Sequence, residues 1–303
     1  MKPVRKILCI VDPARDNPQA PARAAMLAQR FDAELALFVS RHYSYLNEIA
    51  ADFGQDQKEF GKAVIESLRE QLEAIAEPLR SQGLAVTTNA DWRPDPCTAI
   101  IGEAERVAAD LVVKDTRYHS AIARALFSST DWNLIRRCTL PLWLVKPGVS
   151  FEPKCKLLAC VDPVHEHDLP ESLDDDILET GKQLAAELEG ALHAIHWFNP
   201  MMPRGNDAAA GDKPQGAMSD RLWETHAQAF TTLVERHDIP PARRHLQTGA
   251  AQTLLPALVE DLGVSLTILG AVTAARTRHR LIGSTAESVL DRVASDVLIL
   301  KPA

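Results

Sequence analysis

The chain writes one pattern twice. Lys6-Ile-Leu-Cys-Ile-Val-Asp-Pro13 returns as Lys156-Leu-Leu-Ala-Cys-Val-Asp-Pro163, 150 positions later. The run from Leu111 to Pro147 aligns without a gap on the run from Leu266 to Pro302, an offset of 155. Self-similarity at about half the chain length marks a duplicated unit. A chain of 303 residues is long enough for two domains, each with its own core. The expected division is a first domain over 1–147, a linker over 148–153 (Gly148-Val-Ser-Phe-Glu-Pro153) and a second domain over 154–303.

Within each half, apolar runs alternate with amphipathic stretches. ILCIV, ELALFV, LAVTTNA, LVV and PLWLV read as strands in the first half, and LLACV, ALHAIHW, RRHLQT, LTIL and DVLIL in the second. Runs without polar alternation belong to strands buried on both faces, as in a parallel sheet covered by helices. Val64, Leu68, Leu72 and Ile75 recur at helical spacing, with Leu222, Phe230 and Leu233 in the equivalent place. The expected fold is α/β: two tandem doubly wound domains, each a five-stranded parallel sheet with four flanking helices. Two stretches after the second strands, His42 to about Gln57 and Asn199 to about Ser219, read as long loops, open to disorder or to a lid role.

Composition removes several classes. The chain is 46% hydrophobic and 24% charged, which is neither disordered, collagen-like nor coiled-coil. Its net charge of −8 opposes nucleic-acid binding over the whole surface. No apolar run approaches a membrane span, and ILCIV stops at Asp12, short of a signal peptide's apolar stretch. The five cysteines include no CxxC pair, so buried thiols in a reducing compartment are expected. The expected location is the cytoplasm.

In an open parallel sheet, ligands sit beyond the carboxyl ends of the strands, where the strand order reverses. In the second half, Asp162-Pro163 follows the first strand there, and Gly270, Thr273, Gly283, Ser284 and Thr285 follow the fourth. Gly270 and Gly283 leave room for backbone close to a ligand. A helix opening at Gly283 would present free N–H groups to phosphate, and Ser284 and Thr285 add hydroxyls. Asp162 suits an adenine amino group or a ribose hydroxyl. Ser284-x-x-Glu287 and Ser128-x-x-Asp131 also have capping-box spacing. From spacing alone, phosphate binding and simple helix capping both stay open.

The duplicated α/β unit, the Asp after the first strand and the Gly270-x2-Thr273-x9-Gly283-Ser284 spacing resemble the universal stress protein family in its tandem form. Nucleotide-binding members of that family carry G-x2-G-x9-G-S/T at this place. The resemblance spans essentially the whole chain and implies an adenine nucleotide alpha hydrolase-like fold. It further implies ATP, with nucleotide-associated Mg and no other metal, held in the second domain. Asp162, Pro163 and Trp197 would lie at the base and ribose. Gly270, Thr273, Gly283, Ser284 and Thr285 would lie at the phosphates.

Thr273 stands where the family has its second Gly, and a β-branched residue is poorly suited to positive φ. The first half departs further, with Asp115, Tyr118 and Ser128 at the three Gly positions, keeping only Asp12, Ser129 and Thr130. No ATP is expected there. Arg276, Arg278, His279 and Arg280 form a basic cluster inside the second-half motif, either neutralising phosphates or simply solvated. His165 and His167 lack a third ligand for zinc, and His193 and His196, three apart on a strand, face opposite sides.

No G-x-S-x-G elbow, H-E-x-x-H helix or complete P-loop occurs, so the expectation is a binding or regulatory protein with no catalytic residues. A non-nucleotide module for a protein partner or small ligand is the alternative, and a slow ATPase the third. PLWLV and DVLIL are edge strands. The family resemblance implies that they pair within the chain, with homodimerisation open and neither nucleic acid nor membrane as partner.

Overall fold

The computed structural model describes residues 3–12, 18–41, 57–116, 128–164, 172–198, 217–271 and 289–302. The chain divides into two compact units, Met1–Gly148 and Val149–Ala303.

The first unit runs β1 (Lys6–Ile10), α1 (Ala20–Phe31), β2 (Glu34–Ser40), α2 (Gln57–Ser81), β3 (Val86–Asp91), α3 (Pro96–Arg106), β4 (Leu111–Asp115), α4 (Ser129–Arg137) and β5 (Leu142–Val145). Its strand order is β3-β2-β1-β4-β5, with every pairing parallel. The order reverses between β1 and β4, so the crevice of this unit opens above those two strands.

The second unit repeats the plan: β6 (Lys156–Cys160), α5 (Ser172–Glu187), β7 (Ala191–Phe198), α6 (Ala217–Arg236), β8 (Arg244–Thr248), α7 (Ala251–Leu262), β9 (Val264–Gly270) and β10 (Asp296–Leu300). Its order is β8-β7-β6-β9-β10, again parallel throughout. Here the reversal falls between β6 and β9. Helix α7 ends at Gly263, whose φ of 64° is the left-handed cap that a glycine adopts without steric cost.

The central strands are buried on both faces, as their unbroken apolar runs predict. Ile7, Leu8 and Cys9 in β1, and Leu157, Leu158 and Ala159 in β6, are fully inaccessible. Of the strands at the ends of each order, β3 (VTTNAD) and β8 (RHLQT) are largely half-exposed and carry polar residues, whereas β5 and β10 are buried throughout. On α2, Leu68, Leu72 and Ala76 form the buried stripe, with Val64 and Ile75 at its margin. On α6, Phe230 and Leu233 are buried but Leu222 is 38% exposed, one of the most accessible large apolar side chains. The inward position one turn on is His226 instead. All five cysteines are buried thiols.

Among the described residues, no helix is long and apolar enough to cross a membrane. Of the two expected long loops, 42–56 and 199–216 lie outside the described residues, while Gln57 already opens α2 and Ala217–Ser219 open α6.

Candidate functional site

The two units treat the same edge of the sheet differently, and the contrast begins at β4. Its last residue, Asp115, turns a carboxylate back onto the start of α1. Asp115 Oδ1 accepts from the backbone N–H groups of Gln19 and Ala20, both at 3.1 Å. Those are the unsatisfied donors of a helix N-terminus, the groups that an anionic ligand would otherwise use.

The neighbouring helix is filled in the same way. Ser128 caps α4 in a complete capping box: Asp131 N–H donates to Ser128 Oγ at 3.2 Å, and Ser128 N–H donates to Asp131 Oδ2 at 2.6 Å. The Asp131 side chain is fully buried, and Lys114 Nζ lies 2.7 Å from its Oδ1. Lys114 also donates to the Asp115 carbonyl at 2.8 Å. Asp12, after β1, forms an ion pair with Arg41 from the β2 exit. Negative charge thus stands at both helix N-termini of the first crevice, with Lys114 paired to Asp131 and Arg41 to Asp12.

In the second unit, Asp162 and Pro163 follow β6, Trp197 lies near the end of β7, and Gly270 ends β9. Because β6 pairs with both β7 and β9, these four residues lie along one carboxyl edge with Asp162 and Pro163 in the middle. Asp162 N–H donates to both oxygens of Asp174, at 3.0 and 3.1 Å. Asp174 is buried in the first turn of α5. The strand exit is therefore tied to the helix that follows it.

Gly270 has a packing reason for its identity. A Cβ there would lie 2.6 Å from Leu173 Cδ2 and 3.2 Å from Ile177 Cδ1, both on α5. The space freed by the glycine is occupied by α5, and its backbone remains at the strand end. The gap-free alignment puts Gly270 opposite Asp115 and Ala286 opposite Asp131. At the two alignment positions the second unit thus lacks the carboxylates of Asp115 and Asp131, and the buried carboxylate described at its strand exits is Asp174, in the first turn of α5. Thr273, Gly283, Ser284 and Thr285, with Arg276, Arg278, His279 and Arg280, lie outside the described residues, as do His165, His167 and Tyr118.

Pro163 also lines a cavity of about 310 Å³ with Asp174, Asp175, Thr232, Leu233 and Arg236, between α5 and α6. Asp175 is its charged centre, 2.5 Å from Arg236 Nη2 and 2.6 Å from His237 Nε2.

Two histidine pairs form that spacing along the chain does not reveal. His193 and His196 face opposite sides of β7, as strand alternation requires, and each meets another histidine. His193 Nδ1 lies 3.0 Å from His245 Nε2 on β8. His196 Nε2 lies 2.8 Å from His226 Nδ1 on α6, and its Nδ1 lies 3.1 Å from the Val161 carbonyl. Burial pushes both His193 and His196 down to about 4. For His196 the Val161 carbonyl and the Asp162 charge oppose that shift without reversing it. The only cue in the sequence was histidine at otherwise apolar positions of β7 and α6.

The duplicated parallel sheets flanked by helices define a class of tandem, doubly wound α/β proteins, and comparison with known proteins specifies it. The model of the universal stress protein family matches residues 3–146 and again 158–301, and the chain belongs to that family, in tandem form. It is 25% identical to universal stress protein E of Escherichia coli K12 over 300 residues, 98% of this chain and 94% of that one. The Haemophilus influenzae homologue is 23% identical over 304 residues, covering 99% and 98%. A putative universal stress protein structure from Pseudomonas aeruginosa UCBPP-PA14 has a TM-score of 0.76 at 24% identity, covering 99% and 94%. One from Archaeoglobus fulgidus has a TM-score of 0.63 at 17% identity, covering 98% of both chains. The chain is thus a tandem universal stress protein of the stress response.

Proposed function

We propose that this protein is a cytoplasmic binding or regulatory protein that holds one adenine nucleotide, ATP, in its second unit and none in its first. Asp162, Pro163 and Trp197 receive the base and ribose. Gly270, Thr273, Gly283, Ser284 and Thr285 receive the phosphates, and the basic segment Arg276–Arg280 neutralises their charge. Magnesium arrives with the nucleotide.

The observation that carries this reading is the asymmetry at the strand exits. A triphosphate entering the first crevice meets the Asp115 and Asp131 carboxylates at the helix N-termini it would need. At the same alignment positions the second unit has Gly270 and Ala286. One misplaced carboxylate against a phosphate is a like-charge contact costing several kcal/mol, roughly what a micromolar site gains from a few charge-assisted bonds.

Neither unit shows, among the described residues, a base–nucleophile arrangement beside the crevice, so the protein binds nucleotide without turning it over rapidly. Mass spectrometry of small molecules released from freshly purified protein tests the reading. Adenine nucleotide near one equivalent supports it, whereas an apolar ligand, or no nucleotide even after incubation with ATP and Mg, rejects it.

A further inference from the structure

The direction of the hydrogen bonds through His196 can be fixed by elimination. The Val161 carbonyl only accepts, so the 3.1 Å contact requires the proton of His196 to reside on Nδ1. Neutral His196 then has a lone pair on Nε2, and the 2.8 Å contact to His226 requires His226 Nδ1 to be the donor. The chain reads His226 Nδ1–H to His196 Nε2, then His196 Nδ1–H to the Val161 oxygen. It joins α6, β7 and the residue immediately before Asp162.

Its surroundings hold this arrangement in place. The His226 ring stacks on Phe198 with centroids 4.0 Å apart and planes 3° from parallel, and Phe230 and Trp223 extend the aromatic wall. The titratable groups facing His196 are Asp162 from the β6 exit and His226 from α6. His196 is only 1% exposed and His226 2% exposed.

We infer that His196 and His226 are positioning residues: a one-way imidazole relay that anchors α6 to the β6 exit and so fixes the backbone that presents Asp162. The relay belongs to the protein without ligand, and it rests on the nucleotide reading only for the use to which Asp162 is put. A proton added to His196 enters at Nε2, turns that acceptor into a donor and breaks the chain. Burial, which holds His196 at about 4, keeps the vulnerable member neutral.

The test uses nucleotide-free, full-length protein, so its outcome is independent of whether ATP binds. Nitrogen-15 NMR of the histidine side chains at pH 7.5 is expected to show His196 as the Nδ1–H tautomer, the minor one for histidine in water. The Nε2–H tautomer would overturn the inference without any substitution.

Amide hydrogen exchange at Asp162 supplies the second readout. His226→Phe keeps an aromatic ring against Phe198 but deletes the donor, and is expected to speed exchange at Asp162 at least tenfold. His226→Asn, whose amide N–H can replace Nδ1–H, is expected to stay within about threefold of wild type. Equal acceleration in both variants, or none in His226→Phe, would contradict a relay acting through that donor.

Discussion

The Asp115 carboxylate and the backbone N–H of Ala20 are 3.1 Å apart, although 95 residues separate them in the chain. Through that contact the first unit supplies its own anion to the start of α1. The helix start that borders its crevice is capped by a carboxylate from the end of β4.

Replacing Asp115 by Ala removes the acceptor for two helix N-terminal donors, Gln19 and Ala20. The expected loss is about 1–2 kcal/mol, the usual range for a side-chain cap. Urea unfolding of the full chain measures it, with the transition of the first unit shifting. A stability equal to wild type would show that water replaces the carboxylate without cost.

Lys114 and Asp131 form a buried ion pair, with the Asp131 side chain fully inaccessible. Lys114→Met leaves that carboxylate uncompensated and is expected to destabilise the first unit by about 3–5 kcal/mol. Lys114→Met combined with Asp131→Asn should recover part of this, since the charge is gone while the capping geometry persists. A double variant as unstable as the sum of the two single changes would exclude direct coupling.

Gly270→Ala places a Cβ 2.6 Å from Leu173 Cδ2. Overpacking of that kind costs about 1–3 kcal/mol. Leu173→Ala should relieve the strain in the double variant, leaving mainly its own cavity cost. Thermal unfolding of the four proteins tests this. An unperturbed Gly270→Ala would mean that α5 yields readily.

Acid acts on the second unit through its buried imidazoles. His193 is held at about 4 against an ordinary 6.5, chiefly by burial and then by His245, Arg243 and Lys156. Its folded value is depressed, so the unfolded chain binds more protons between those limits. The stability it contributes is therefore full above pH 6.5 and is lost as pH falls towards 4. About 2 kcal/mol is expected from His193, less than the full shift implies, because solvent reaches part of the ring. Urea unfolding at pH 7.5 and pH 4.5 should show a smaller decline in His193→Phe than in wild type. An identical pH dependence would assign the acid sensitivity elsewhere.

What could be read in the sequence was whatever repeats or stays local. The Lys6–Pro13 and Lys156–Pro163 repeats announced two copies of one parallel fold, and Ser128-x-x-Asp131 announced a cap that the structure contains. Contacts between distant segments left no such trace. Nothing near Gly270 indicates that Leu173, almost a hundred residues earlier, fills the space beside it. Nothing near His196 indicates His226 on another element, because strand alternation determines which face a residue takes but not what it meets there. Leu222 fits the helical period of α6 yet projects to solvent, since periodicity does not show how far along a helix the sheet beneath it extends.

Calorimetric titration of the full chain with ATP and Mg tests nucleotide binding by the second unit alone. One site per chain is expected, lost in Gly283→Asp and retained in Asp12→Ala. Two sites per chain, or one that survives Gly283→Asp and disappears with Asp12→Ala, would place the nucleotide where Asp115 and Asp131 stand and contradict it.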